Sequence, residues 1–130
     1  MFLKEEELEE EKAYLLNNML YKHVLRNQRD FQKVYKNGKS KSDKLIVLLY
    51  GKNDYSYNRI AFLASKKVGN SVKRNRARRL MKEAYKNLNL NLASGYDIIL
   101  VARNTINDTK CCEVEKSIKN AIYRTKELEK

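Results

Sequence analysis

Nine cations fall between Lys66 and Lys86: Lys66, Lys67, Lys73, Arg74, Arg76, Arg78, Arg79, Lys82 and Lys86. Glu83 is the one acid among them. The chemistry open to such a run is the binding of phosphate. An arginine fork clamps two phosphate oxygens at once and can stack on a base. A helix N-terminus placed beside it adds unsatisfied N–H donors and the positive end of the dipole. In "SKKVGNSVKRNR" the lysine pair stands just before such a terminus, so strand end, Gly-turn and helix start all offer donors to one anionic backbone. A merely solvated face intersperses the two signs, and this run does not.

Cleavage chemistry has no comparable support. A metal nuclease needs converging carboxylates or histidines. Asp54, Glu83 and Asp97 make no recognisable motif, and His23 is the only histidine. No Ser–His or Cys–His arrangement is present. Cys111 and Cys112 are adjacent, a spacing that suits neither a zinc site nor a disulfide framework. They read as two helix residues in a reducing compartment. The chain is expected to bind nucleic acid rather than to cut it with its own side chains.

The whole chain has 130 residues and a net charge of +12. That balance favours a polyanionic partner, nucleic acid or an anionic membrane surface. It is unevenly spread. Residues 1–19 carry six glutamates against Lys4 and Lys12, a net of −4, which leaves +16 for residues 20–130. The chain divides into an acidic N-terminal extension, 1–19, and a single basic domain, 20–130. No apolar run approaches the ~18–20 residues that span a bilayer. The N-terminus is acidic where a secretory signal is basic. A cytoplasmic location is expected.

The elements that must hold the cations follow from periodicity. Residues 3–20 form a candidate helix with Leu8, Leu15, Leu16 and Met19 on one side and glutamates around much of the rest. It is either a solvated appendage or an acidic arm that covers the basic surface when RNA is absent. "NQRDFQKVYKNG" is a short helix with Asn27 as N-cap, Asp30 in its first turn and Gly38 as its C′ residue. Its Phe31, Val34 and Tyr35 share a face. "KLIVLLY" (44–50) and "YNRIAFLAS" (57–65) are strands, expected to pair as an antiparallel hairpin across "GKNDYS". The basic run is a helix over 70–88. "YDIILVAR" (96–103) is a third strand. "NDTK" opens a last helix, capped by Asp108 or Thr109, with Val114, Ile118, Ala121 and Ile122 as its apolar stripe. This order predicts an α+β layer of helices on a small mixed sheet.

Within the basic helix, Ala77, Leu80, Met81, Ala84 and Leu88 recur at helical spacing and form a core-facing stripe. Asn75, Arg78, Arg79, Lys82 and Lys86 are expected on the opposite, RNA-facing side. Arg76 falls between the two faces. A helix–turn–helix reader of DNA needs a second helix a few residues away, and strands flank this one. RNA or single strands suit the arrangement better. Phe31 and Tyr35 either stack on bases or pack against the sheet.

The stretch "SKKVGNSVKRNRARRLMKEA", centred on Arg74, Asn75 and Arg76, resembles the signature of the bacterial ribonuclease P protein subunit family. "RDFQKVYKNGKS" and "YDIILVAR" resemble the same family's first helix and last strand. The resemblance implies an α/β sandwich with a mixed four-stranded sheet. It also implies a left-handed βαβ crossover, against the general rule. It implies a partner, the catalytic RNA of ribonuclease P, which with Mg²⁺ hydrolyses the phosphodiester joining the 5′ leader to precursor tRNA. No organic cofactor and no catalytic side chain of the protein is implied, and a metal position on the protein is unknown. Carried over, the RNA-binding residues are Lys66, Lys67, Asn70, Lys73, Arg74, Asn75, Arg76, Arg78, Arg79 and Lys82. Phe31, Tyr35 and Phe62 line the leader cleft. Where the family shows S-V-S-K-K, this chain has Leu63 and Ala64 before Ser65, so a strand hydroxyl is absent. The competing readings are a ribosomal or general RNA-binding protein, and, behind that, a DNA-binding regulator.

Overall fold

All seven residues of Tyr96–Ala102 are buried, which marks this strand as the middle of the sheet. A continuous apolar run with both faces covered is what an interior strand paired in parallel requires. The computed structural model describes residues 24, 25 and 27–128. The candidate helix at 3–20 and His23 lie outside the described residues.

The elements run α1 (Gln28–Asn37), β1 (Lys39–Ser42), β2 (Ile46–Lys52), β3 (Arg59–Leu63), α2 (Ser71–Leu88), β4 (Tyr96–Ala102) and α3 (Cys111–Thr125), with a 3-10 turn at Asn104–Ile106. The sheet order is β1-β2-β4-β3. This is the expected mixed four-stranded α+β architecture. Its pairing differs from the expected hairpin. β2 and β3 are not neighbours, because β4 lies between them, antiparallel to β2 and parallel to β3. The hairpin is instead β1–β2, in the register Lys39↔Tyr50 to Ser42↔Val47. β1 reads "KSKS" and carries no apolar signal. It is an edge strand, and its lysines discourage pairing with another chain.

Two apolar layers hold the sheet. On one face α1 delivers Phe31 and Val34 onto Ala61, Leu63, Ile99 and Val101. On the other, α2 and α3 deliver Ala77, Met81, Ala84, Val114, Ile118 and Ala121 onto Leu48, Tyr50, Ile60, Phe62, Ile98 and Leu100. The Asn27 cap of α1 is as expected, its side chain accepting from the Arg29 N–H at 2.9 Å. Gly38 has a different reason from the expected left-handed C′. Its φ is −84°, and a Cβ there would lie 2.4 Å from the Val34 carbonyl oxygen and 2.6 Å from that of Tyr50. Glycine is needed for close approach of helix end and strand. α3 begins later than expected: Lys110 is its N-cap, and its backbone N–H donates to the Glu113 carboxylate at 3.0 Å. Asp108 adopts a left-handed φ of 64° in the preceding turn instead of capping.

Candidate nucleic-acid interface

Val68 is 3% exposed, and this one buried side chain orients the turn that carries Lys66 and Lys67. The turn closes through Val68 N–H to the Ser65 carbonyl at 3.0 Å and Gly69 N–H to the Lys66 carbonyl at 3.1 Å. The Asn107 amide donates to the Val68 carbonyl at 2.8 Å. With the middle of the turn pinned inward, both lysines project into solvent. Gly69 sits at φ +143°, where a Cβ would strike the Lys73 side chain at 2.6 Å. Asn70 then caps α2, accepting from the Lys73 N–H at 3.0 Å. Asn70 is therefore a structural cap, which fixes the direction of the helix start.

The Arg74–Asn75–Arg76 triplet has an internal role for each member. Arg74 is 8% exposed and donates to the Gly69 carbonyl at 3.0 Å and to Ser71 Oγ at 3.3 Å, closing the turn from below. Asn75 accepts from Arg78 through Oδ1. Arg76 is exposed, yet donates to the Thr109 carbonyl at 2.7 Å and so ties α2 to the turn before α3.

The face of α2 opposite the core divides in two. Arg79 and Lys86 are exposed as expected. Arg78 and Lys82 are not: they are 1% and 7% exposed. With Arg74 they form a flank directly beside the apolar stripe, about 60–140° round the helix from Ala77 at 100° per residue. Burial lowers the pKa of the Lys82 ammonium, because the charged form loses water. Like charges in the row from Arg74 to Lys86 cost roughly 1 kcal/mol in all. Burying Met81 alone contributes about 1.5–3 kcal/mol. The stripe therefore wins, and the helix forms despite its charge. The solvent-facing cations of the region are Lys66, Lys67, Lys73, Arg76, Arg79 and Lys86.

The aromatic residues expected to share a cleft are on opposite faces of the sheet. Phe31 is fully buried under α1, and Tyr35 is half-buried at the margin of the same layer, beside the half-exposed Val47 and Leu49. Phe62 belongs to the other layer. It packs edge-on against Tyr85 of α2, with ring centroids 5.9 Å apart and planes at 69°. In a strand successive side chains alternate. Phe62 must therefore point away from Ala61 and Leu63, which meet α1. It is a core residue and does not line a leader cleft with Phe31 and Tyr35.

A cleft of about 430 Å³ runs from the basic turn to Val47, at the margin of the α1 layer. Val47 and Ala102 form its apolar side, and Ser65, Lys67, Arg103 and Asn104 its polar side. Sequence reasoning missed Val47, Arg103 and Asn104. Arg103 ends the strand "YDIILVAR", and its position after an apolar run was the available signal. It is held by donating to the Asp43 carbonyl at 2.8 Å. Among the described residues, no group of three or more His, Cys, Asp or Glu side chains is gathered to hold a metal ion. No helix among the described residues is long and apolar enough to cross a membrane.

A capped, cation-bearing helix start, a basic turn and an adjoining half-apolar cleft on a mixed sheet are the features of a protein suited to nucleic acid and its backbone phosphates. The family model for ribonuclease P matches residues 19–126. The ribonuclease P protein component of Clostridioides difficile is 45% identical over 102 residues, covering 78% of this chain and 90% of that protein. That of Alkaliphilus oremlandii is 48% identical over 94 residues, covering 72% and 82%. The solved ribonuclease P protein of Staphylococcus aureus superposes with a TM-score of 0.72 at 26% identity, covering 84% of this chain and all of that one. The Thermotoga maritima protein gives 0.68 at 26%, covering 79% and 97%. The chain belongs to the ribonuclease P protein family. Its role is that of a protein subunit of this ribonuclease in tRNA processing, and the general RNA-binding alternative is not favoured.

Proposed function

We propose that the exposed cations of the 65–69 turn and α2 bind the catalytic RNA. On the same reading, the cleft at the basic turn, which reaches the α1-facing layer at Val47, holds the 5′ leader of precursor tRNA while the RNA cleaves it. The observation that carries this reading is the continuity of the 430 Å³ cleft, which joins the apolar margin at Val47 to Lys67 and Arg103. A single strand laid there has apolar surface for its bases and cations for its phosphates. Tyr35 and Leu49 extend the apolar side toward α1.

The protein's part is to position and to neutralise charge. The chemistry that Mg²⁺ supplies belongs to the RNA on this reading, because the acids best held here are already engaged. Asp97 and Asp30 accept from Arg59 at 2.7 and 3.0 Å, and Asp43 accepts from Ser117 at 2.6 Å. The test is reconstitution with a bacterial ribonuclease P RNA, precursor tRNA and Mg²⁺. The expected result is 5′ maturation that needs the RNA, with binding that tightens as the leader is lengthened into the cleft. Cleavage by the protein alone, or affinity independent of leader length, would sink the proposal.

A further inference from the structure

The opposite end of the sheet from the basic turn carries a second cleft, of about 420 Å³. The strand register sets its position. Lys39 lies opposite Tyr50 and Lys52 opposite Tyr96, while Ser42, Ile46, Leu63 and Ala102 mark the far end, beside the turn. Its walls are Asn37, Lys39, Tyr50, Lys52, Tyr96 and Glu127. Tyr50 and Tyr96 belong to the α2–α3 layer, and this cleft shares no lining residue with the one at the basic turn.

The two tyrosines are the telling feature. Tyr50 is 2% exposed and Tyr96 9%, with ring centroids 6.3 Å apart and planes tilted by 58°. Among the described residues neither phenol hydroxyl has a hydrogen-bond partner. A buried hydroxyl without an acceptor is costly, and nearly all buried polar groups find one. A cleft of this size admits waters, at about 30 Å³ each, and a ligand that displaces them must bring acceptors of its own. Burial, reinforced by the Glu127 carboxylate and opposed by Lys39, pushes the Tyr50 phenol up, so it keeps its proton and donates. Lys39 and Glu127 pair beside it, and Lys52 adds an exposed cation on the same wall.

The geometry points to a nucleotide-binding site, in which base acceptors take the phenol protons and Lys52 takes the phosphate, Lys39 being held by Glu127. The same chemistry is offered by a free mononucleotide and by an unpaired nucleotide of an RNA strand. A bare phosphate would need the lysine and leave the tyrosines without purpose. The size lies within the 300–1,000 Å³ usual for small-ligand pockets.

The test is amide NMR on the full chain, titrated separately with adenosine 5′-monophosphate, uridine 5′-monophosphate, inorganic phosphate and a five-residue single-stranded RNA. The expected result is saturable shifts at Gly38, Lys39, Gly51 and Lys52 with a mononucleotide. The Tyr50→Phe, Tyr96→Phe double variant should weaken that binding at least ~10-fold while its Tm stays at or above that of the parent, since it loses only unpaired hydroxyls. Lys52→Gln should weaken mononucleotide binding and leave nucleoside binding unchanged. Tighter binding of the five-residue RNA, read at these amides alone, assigns the site to a strand; equal binding assigns it to free nucleotides. Equal shifts with inorganic phosphate, or a Tyr→Phe variant that binds like the parent, would overturn the proposal. Either failure leaves RNA-dependent tRNA maturation untouched and so is distinguishable from failure of the subunit function.

Discussion

Arg78 and Arg79 are neighbours in the chain with opposite surroundings, the first 1% exposed and the second in solvent. Replacing each by alanine should therefore separate folding from binding. Arg79→Ala should leave urea stability within about 0.5 kcal/mol. It should also reduce the slope of log K for RNA against log salt by roughly 0.7–0.9, one phosphate contact. Arg78→Ala should cost roughly 2 kcal/mol of stability, because a long buried side chain loses its packing as well as its charge. A stable Arg78→Ala protein with a reduced salt slope would reverse the assignment. Tyr85 offers a residue-scale test by pH. Desolvation pushes its phenol up to about 12 from 10.0. The folded form thus holds its proton more tightly than the unfolded chain does. The sign follows by linkage: the stability this provides is complete below pH 10 and is lost as pH rises toward about 12. In Tyr85→Phe, which retains the contact with Phe62, the decline measured by urea unfolding between pH 9 and 11.5 should be shallower. An unchanged profile would place the alkaline loss on other groups.

At the scale of elements, the start of α2 is open to test because the Asn70 side chain accepts the Lys73 N–H there. Asn70→Ala should cost about 1 kcal/mol of stability, and Asn70→Asp should restore it, read from urea midpoints. Loss of RNA affinity in Asn70→Ala with no change in midpoint would make Asn70 a contact rather than a cap. The apolar stripes were readable beforehand, because they depend on residues three and four apart. Asn27 and the stripes of α2 and α3 stand where local spacing put them, whereas Asn70 was expected as an RNA contact and α3 starts from Lys110 instead of Asp108 or Thr109. Strand partnership was not readable. Tyr57–Ser65 follows 44–50 in the chain, but its neighbour is β4, some forty residues on, and no local pattern encodes that pairing. β1 was invisible for the converse reason: "KSKS" is held by the register of Val47–Tyr50, not by any apolarity of its own. The same non-local pairing hid the candidate site. Val47 and Arg103 come together only because β2 and β4 lie side by side, and the face that Phe62 takes follows from where α2 crosses the sheet.

The described residues form a sheet with one helix on one face and two on the other, and the charge of the chain has a purpose that the fold alone does not explain. Residues 20–130 hold +16, and six of the exposed cations among the described residues stand on the 65–69 turn and α2. A field of that kind raises the association rate with RNA and weakens steeply as salt is added. Residues 1–19 reduce the total to +12. Whatever their placement, six glutamates joined to the domain repel RNA over about a Debye length, ~10 Å at 0.1 M salt. Deleting residues 1–19 should therefore tighten RNA binding at 20–50 mM salt, chiefly through a faster association rate, and the gain should fade above about 0.3 M. Stopped-flow binding of labelled ribonuclease P RNA to the full and shortened chains across that salt range measures it. A gain that persists at high salt would mean that the extension blocks the surface by contact instead of by charge. Identical rates at every salt concentration would show that the extension plays no electrostatic part, leaving the +16 of the domain to act alone.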